Sequence, residues 1–200
     1  MMQVYENVPR GTFLQVEEFK AELLKWNKKI NLISKNDEAQ IDKRHLADSM
    51  QLLNYLPENK DIKIIDFGSG AGFPGVVLAI SGYKNIVLVE SDIKKAIFLE
   101  NVGKMLGLSY KVENKRIEEL KPESQYDFIT ARALAPVTKL LEYSEKFLHN
   151  EIKLLLLKGM ALEQEIKEAQ KKWSFSYKKH RSKVDESGYI VEIELVSKKI

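Results

Sequence analysis

Cysteine is absent from the 200 residues of the chain. Its absence excludes disulfides, thiolate metal sites and cysteine nucleophiles. A reducing compartment suits such a chain, and a cytoplasmic location is expected. Long apolar runs are missing as well. Stretches such as Ile152–Leu157 are interrupted by Lys153 and fall far short of the roughly 20 residues a bilayer needs. The N-terminal segment carries Glu6 and Pro9 and no apolar stretch, so neither a signal peptide nor a membrane partner is expected. No repeat or low-complexity linker is visible. Neither sign of charge dominates, since 32 Lys and Arg against 29 Asp and Glu leave +3. Such mild basicity permits a nucleic-acid partner without demanding one. What is present is an ordinary globular balance, 44% hydrophobic and 30% charged, in a chain long enough to bury a full core.

The apolar pattern changes period along the chain. Up to about Tyr55 it is helical. Phe13, Val16, Phe19, Leu23 and Ile30 form one stripe. After a polar connector, Asn31–Asp37, a second helix is predicted from Glu38 to Tyr55. From Ile62 onward short strands alternate with helices. Strands are predicted at Ile62–Phe67, Asn85–Glu90, Ser109–Val112, Tyr126–Thr130 and Ile152–Leu157. Helices are predicted from Val76, Ile93, Val137 and Met160, and Trp173–Tyr177 and Tyr189–Val196 read as closing strands. The expected fold class is α/β, a mostly parallel twisted sheet with an antiparallel edge, preceded by a helical extension. The expected division is 1–58 for the extension and 59–200 for the α/β domain. In such sheets the ligand lies beyond the carboxyl ends of the strands, where strand order reverses.

The strongest local signal is Asp66-Phe-Gly68-Ser-Gly70-Ala-Gly72-Phe-Pro-Gly75. Glycines turn the backbone sharply and let a ligand approach closely. The next helix start offers free N–H groups to a carboxylate or phosphate. Glu90, ending the following strand, is placed to accept the two hydroxyls of a ribose. Gly70-x-Gly72-x-x-Gly75 formally matches a dinucleotide fingerprint, so NAD competes as ligand. Asp66 would repel its pyrophosphate but suits a cationic amino group, as in S-adenosylmethionine. A tight turn without any ligand is the bland alternative.

In combination these motifs resemble the RsmG (GidB) family of bacterial 16S ribosomal RNA guanine-N7 methyltransferases. The resemblance runs from about Leu14 to Leu195. It rests on Trp26-Asn27 with Asn31-Leu32, Arg44-His45 with Asp48-Ser49, and the loop ending Gly72-Phe-Pro-Gly75. Lys95 with Phe98-Leu99, Arg116 with Glu118-Glu119, Arg132-Ala133 and Lys158-Gly159 complete it. It implies a Rossmann-like S-adenosylmethionine-dependent methyltransferase fold. It implies that Asp66, Gly68, Gly70 and Phe73 line the cofactor loop, that Ile117 and Glu118 hold the adenine side, and that Arg132 sits at cofactor and target guanine. Glu90 is the expected ribose acceptor. The implied partner is 16S rRNA itself, the small ribosomal subunit or an assembly intermediate, with the protein acting as a monomer.

Guanine N7 carries no proton, so no residue is expected as general base and no metal is needed. The task is alignment, for which Arg132 is the candidate. Arg44, His45, Arg116 and Lys158 are candidate RNA contacts and should share the side of the glycine loop. Each has a plainer reading. His45 equally suits a satisfied or surface position, Asp48 could pair with Arg44 at i, i+4, and Arg132 could form a structural ion pair with Glu90 or Glu118. Trp26 reads as a helix-packing residue, and Asn27 and Asn31 as caps. Lys167, Lys171, Lys172, Lys178, Lys179, Arg181 and Lys183 form a late basic stretch that lies on RNA or simply faces water. A second enzyme class, an NAD-dependent oxidoreductase using Gly70–Gly75, and a non-catalytic RNA-binding scaffold are the alternatives.

Overall fold

The computed structural model describes residues 10–199. α1 (Arg10–Asn27) and the one-turn α2 (Lys35–Glu38) lead into a π-helical turn (Asp42–Ala47), α3 (Asp48–Met50) and a 3₁₀ turn (Gln51–Asn54). The alternating region follows: β1 (Lys63–Phe67), α4 (Gly75–Ile80), β2 (Asn85–Val89), α5 (Ile93–Leu106), β3 (Lys111–Glu113), a 3₁₀ turn (Ile117–Glu119) and β4 (Phe128–Arg132). It ends with α6 (Val137–Ser144), a 3₁₀ turn (Glu145–Phe147), β5 (Lys153–Lys158), α7 (Leu162–Ala169), β6 (Trp173–Arg181) and β7 (Tyr189–Lys198).

The seven strands form one sheet in the order β3-β2-β1-β4-β5-β7-β6. β1 to β5 pair in parallel, and β7 runs antiparallel to both β5 and β6. The parallel sheet with an antiparallel edge is therefore as the sequence pattern implies. Strand order reverses between β1 and β4, which places a ligand crevice at the end of β1. Strand periodicity splits the core into two layers. Ile64 faces the layer with Phe19, Leu78 and Phe98 of α1, α4 and α5. Ile65 faces Leu140 and Ile166 of α6 and α7. α5 is well delimited, since Asp92 caps the N–H groups of Lys94 and Lys95 and Gly107 closes it at φ 64°.

The helix expected from Glu38 to Tyr55 is a correction. The segment is a succession of α2, a π turn, α3 and a 3₁₀ turn. Two contacts account for part of this. Ser49 Oγ donates back to the His45 carbonyl at 2.7 Å, a bond that bends helices. The Arg44 carbonyl accepts from Arg132 at 2.9 Å. Local π widening is common at functional sites. Asn27 caps neither α1 nor α2, as α2 is capped by Ser34, but pins the connector between them. Its Oδ1 accepts from the N–H groups of Leu32 and Ile33, and its Nδ2 donates to Glu38. Trp26 packs on Phe98.

Candidate cofactor and substrate site

β1 delivers the chain into a loop shaped for glycine. Gly68, Gly70 and Gly72 have φ of 67°, 53° and 95°, a region costly for side chains. A Cβ on Gly68 would stand 2.6 Å from Leu134, and one on Gly75 would strike Leu88 and come within 2.8 Å of Asp66 Oδ2. The backbone of the loop therefore requires glycine at Gly68, Gly70 and Gly72, and close packing requires it at Gly75. Beneath the loop Asp66 is fully buried. Its Oδ1 accepts from Thr130 at 2.7 Å, and Ser69 and the Gly75 N–H also stabilise the carboxylate. Burial pushes this carboxyl up to about 6.

Glu90, at the end of β2, is buried. Its two carboxylate oxygens accept from the N–H groups of Gly70 at 2.9 Å and Asp92 at 2.8 Å. Its carbonyl accepts from Asn114. The residue therefore ties the glycine loop to the ends of β2 and β3, and each oxygen keeps a further acceptor site.

Arg132 ends β4 and is the hub on the other side. It donates to the Arg44 carbonyl at 2.9 Å and to His45 Nδ1, and lies 3.6 Å from Asp48 Oδ2. Its guanidinium sits 5.3 Å from the Phe73 ring centroid. His45 stacks on the same ring, with centroids 5.0 Å apart. The following residue, Ala133, has φ 51°, a strained conformation for a non-glycine residue. Accepting from Arg132 commits His45 Nδ1 to its unprotonated form. Burial first, then the Arg132 charge, lowers its pKa to about 4. Burial raises the Asp48 carboxyl, against the pull of Arg132. Asp37 Oδ1 is held by Arg44 at 2.9 Å, and His45 Nε2 lies 3.9 Å from Asp37 Oδ2.

The structure separates the expected site residues. Asp66, Gly68, Gly70, Phe73, Glu90 and Arg132 converge at the carboxyl edge of the sheet. Ile117 and Glu118 stand on the turn after β3, with Ile117 anchored in the core and Glu118 exposed. Lys146 donates to both their carbonyls, at 2.6 and 2.8 Å. Arg116 is exposed at the same edge. Two RNA-contact expectations are corrected. His45 is 7% exposed and spends its ring on Phe73 and Arg132. Lys158 has a side chain only 9% exposed, paired with Glu165 at 2.6 Å and bonded to the Ala135 carbonyl. Glu165 in turn accepts from the Val137 N–H at the start of α6. Asp48 pairs with Arg132 rather than Arg44, whose partner is Asp37 at 2.9 Å. Arg132 likewise pairs with neither Glu90 nor Glu118. Sequence reading passed over Asp37, Asn114, Lys146 and Gln51, since nothing local marks them.

Comparison with known proteins bears on this geometry. The family described as rRNA small subunit methyltransferase G matches residues 13–189. The chain belongs to that family. Ribosomal RNA small subunit methyltransferase G of Orientia tsutsugamushi (strain Ikeda) is 42% identical over 201 residues, covering 98% of this chain and all of that one. Solved structures carry the same fold at low identity. A ribosomal protein L11 methylase from Lactobacillus delbrueckii subsp. bulgaricus aligns with TM-score 0.59 and 15% identity, over 78% of this chain and 79% of that one. DhpI in its SAH complex aligns with TM-score 0.58 and 12% identity, over 92% and 96%. Membership in the methyltransferase G family makes the chain a methyltransferase that uses S-adenosylmethionine, and the oxidoreductase alternative falls away. No described helix is long and apolar enough to cross a membrane.

Proposed function

We propose that this chain methylates N7 of a specific guanine in bacterial 16S rRNA by direct in-line attack. The substrate is 16S rRNA, free or in the small subunit or an assembly intermediate, and the protein acts as a cytoplasmic monomer, with 1–58 as a helical extension and 59–200 as the methyltransferase domain. One observation carries this reading. His45, the histidine beside the loop, spends Nδ1 on Arg132, and Asp66 lies buried below. The site is built to hold rather than to take a proton, and N7 has none to give.

The residues fit S-adenosylmethionine. The buried Asp66 carboxylate at the end of β1 suits its ammonium, the glycine loop suits its methionine backbone, and Glu90 keeps acceptor capacity for ribose hydroxyls. Ile117 and Glu118 would hold the adenine side. When bound, the cofactor would supply an electrophilic methyl carried on positively charged sulfur. Asp66 fixes the donor end. Arg132, held by Arg44, His45 and Asp48, fixes the base. Phe73 and His45 wall the space between and exclude water.

Alignment is sensitive to small displacements. Arg132→Met should cut methyl transfer to 16S RNA by about 100-fold, with S-adenosylhomocysteine affinity falling much less. Unimpaired transfer would remove Arg132 from the site. Cofactor and RNA binding without any transfer by the unaltered protein would favour a scaffold.

A further inference from the structure

The loop joining β6 to β7 is far from the glycine loop in sequence, yet register brings it to the same edge. Lys158, the last residue of β5, pairs with Tyr189, and Tyr189 pairs with Arg181. The 182–188 tip therefore lies beyond the carboxyl ends of the parallel strands. The start of β6 is at the opposite edge, where Trp173 pairs with Lys198. The late basic stretch is thus divided. Lys171 and Lys172, just before β6, belong to the far edge and pair with Glu168 and Glu142. Arg181 and Lys183 belong to the edge that holds the site.

The tip is ordered and clamped. Its own turn is closed by Ser182 N–H to the Gly188 carbonyl and Gly188 N–H to the Asp185 carbonyl, each 2.9 Å. Gln51, 7% exposed, then joins it to the N-terminal helices. Gln51 Oε1 accepts from the Lys183 N–H at 2.6 Å. Its Nε2 donates to Ser182 Oγ at 3.0 Å and to Asp48 Oδ1 at 3.2 Å. The other oxygen of Asp48 faces Arg132. One buried amide therefore connects the tip to the residue that holds the target base. Tyr55 packs at a tilt against His180, with 4.5 Å between ring centroids, and supports the same junction.

We propose that this tip is an RNA-backbone contact surface forming one wall of the active-site mouth. Arg181 and Lys183 act there with Lys43 and Arg44 of the π turn, and Gln51 serves as the positioning residue. The inference rests on the RNA substrate proposed above. All four cations are exposed. Arg181 lies over the Tyr189 ring and donates to the Glu186 carbonyl. Arg44 holds Asp37 as well. Two acids share the tip. Asp185 is turned back onto Ser187 N and Oγ and lies in the field of Lys43 and Arg44, and Glu186 is exposed. The balance of these six side chains favours a polyanion. A strand reaching Arg132 from this side would pass its phosphates along the rim.

The test measures binding of protein-free 16S RNA against salt concentration. Each phosphate contact contributes roughly 0.7 to 0.9 to the log–log slope. Arg181→Gln/Lys183→Gln should lower the slope by about 1.4 to 1.8 and leave S-adenosylhomocysteine affinity unchanged. Lys171→Gln/Lys172→Gln should leave both as in the unaltered protein. Gln51→Met, with the cations intact, should weaken RNA binding several-fold and spare the cofactor. An unchanged slope in the tip variant, an equal loss in the far-edge control, or full RNA affinity in Gln51→Met would overturn the proposal. So would a defect seen with assembled subunits but not with naked RNA, which would assign the tip to a ribosomal protein. Failure of the unaltered protein to bind or methylate RNA would instead defeat the functional reading itself.

Discussion

Asp66 shows how one buried acid sets the behaviour of the site. Its carboxyl is raised from 3.8 to about 6 by burial. The folded chain therefore binds its proton more tightly than the unfolded chain does, and this contribution to stability is lost as pH rises from about 4 through about 6. A cationic ligand favours the ionised form. S-adenosylhomocysteine affinity should accordingly rise between pH 5 and pH 7, and Asp66→Asn should abolish both the rise and most of the affinity, read by calorimetry. His45 works with the opposite sign. Its pKa is depressed from 6.5 to about 4, so its contribution is complete above 6.5 and is lost as pH falls toward 4. Removing Asp66 should therefore leave a chain whose stability climbs more steeply with pH across this range. Gly68→Val should abolish cofactor binding in a folded protein, because φ 67° and Leu134 both oppose a side chain. The convergence of Asp66, Gly68, Glu90 and Arg132 on one edge of the sheet was legible because each stands at or just beyond the carboxyl end of a predicted strand. The packing of His45 was not legible. Its partners Arg132 and Phe73 are distant in sequence, and a lone histidine beside an arginine looks the same whether it faces phosphate or a ring.

The elements divide between those fixed by their own pattern and those fixed by others. The five parallel strands and α5 were readable from the period of their apolar residues. The Glu38–Tyr55 segment was not, because Arg132 from β4 takes the carbonyl of Arg44 88 positions away. Lys158 illustrates the same limit at the end of β5. It looks like a surface cation, yet it binds Glu165 of α7, which in turn holds the first N–H of α6. Breaking a buried pair leaves an uncompensated charge, at a cost of about 3 to 5 kcal/mol. Lys158→Met should lower denaturant stability by an amount at the lower end of this range, since the pair keeps some solvent contact. It should leave the salt dependence of RNA binding unaltered. A flattened salt slope would return Lys158 to the RNA interface.

At the scale of the whole molecule, two distant segments close on one edge of the sheet. α1 packs on α4 and α5, and Asn27 fixes the turn that carries Asp37 and Arg44 toward Arg132. Asn27→Ala should cost about 1 to 3 kcal/mol, since two backbone N–H groups and Glu38 lose their partner, and should reduce methyl transfer more than cofactor affinity. The net charge of +3 conceals this arrangement, because acids are collected beneath the glycine loop while Lys43, Arg44, Arg116 and Lys183 remain exposed at its rim. The central claim is transfer to guanine N7 in 16S RNA, and mass mapping of methylated guanines tests it most directly. 16S RNA treated with the protein and S-adenosylmethionine should gain one methyl at N7 of a single guanine, absent with Asp66→Asn. A methyl on any other atom, or none on RNA from cells lacking the protein, would contradict the account.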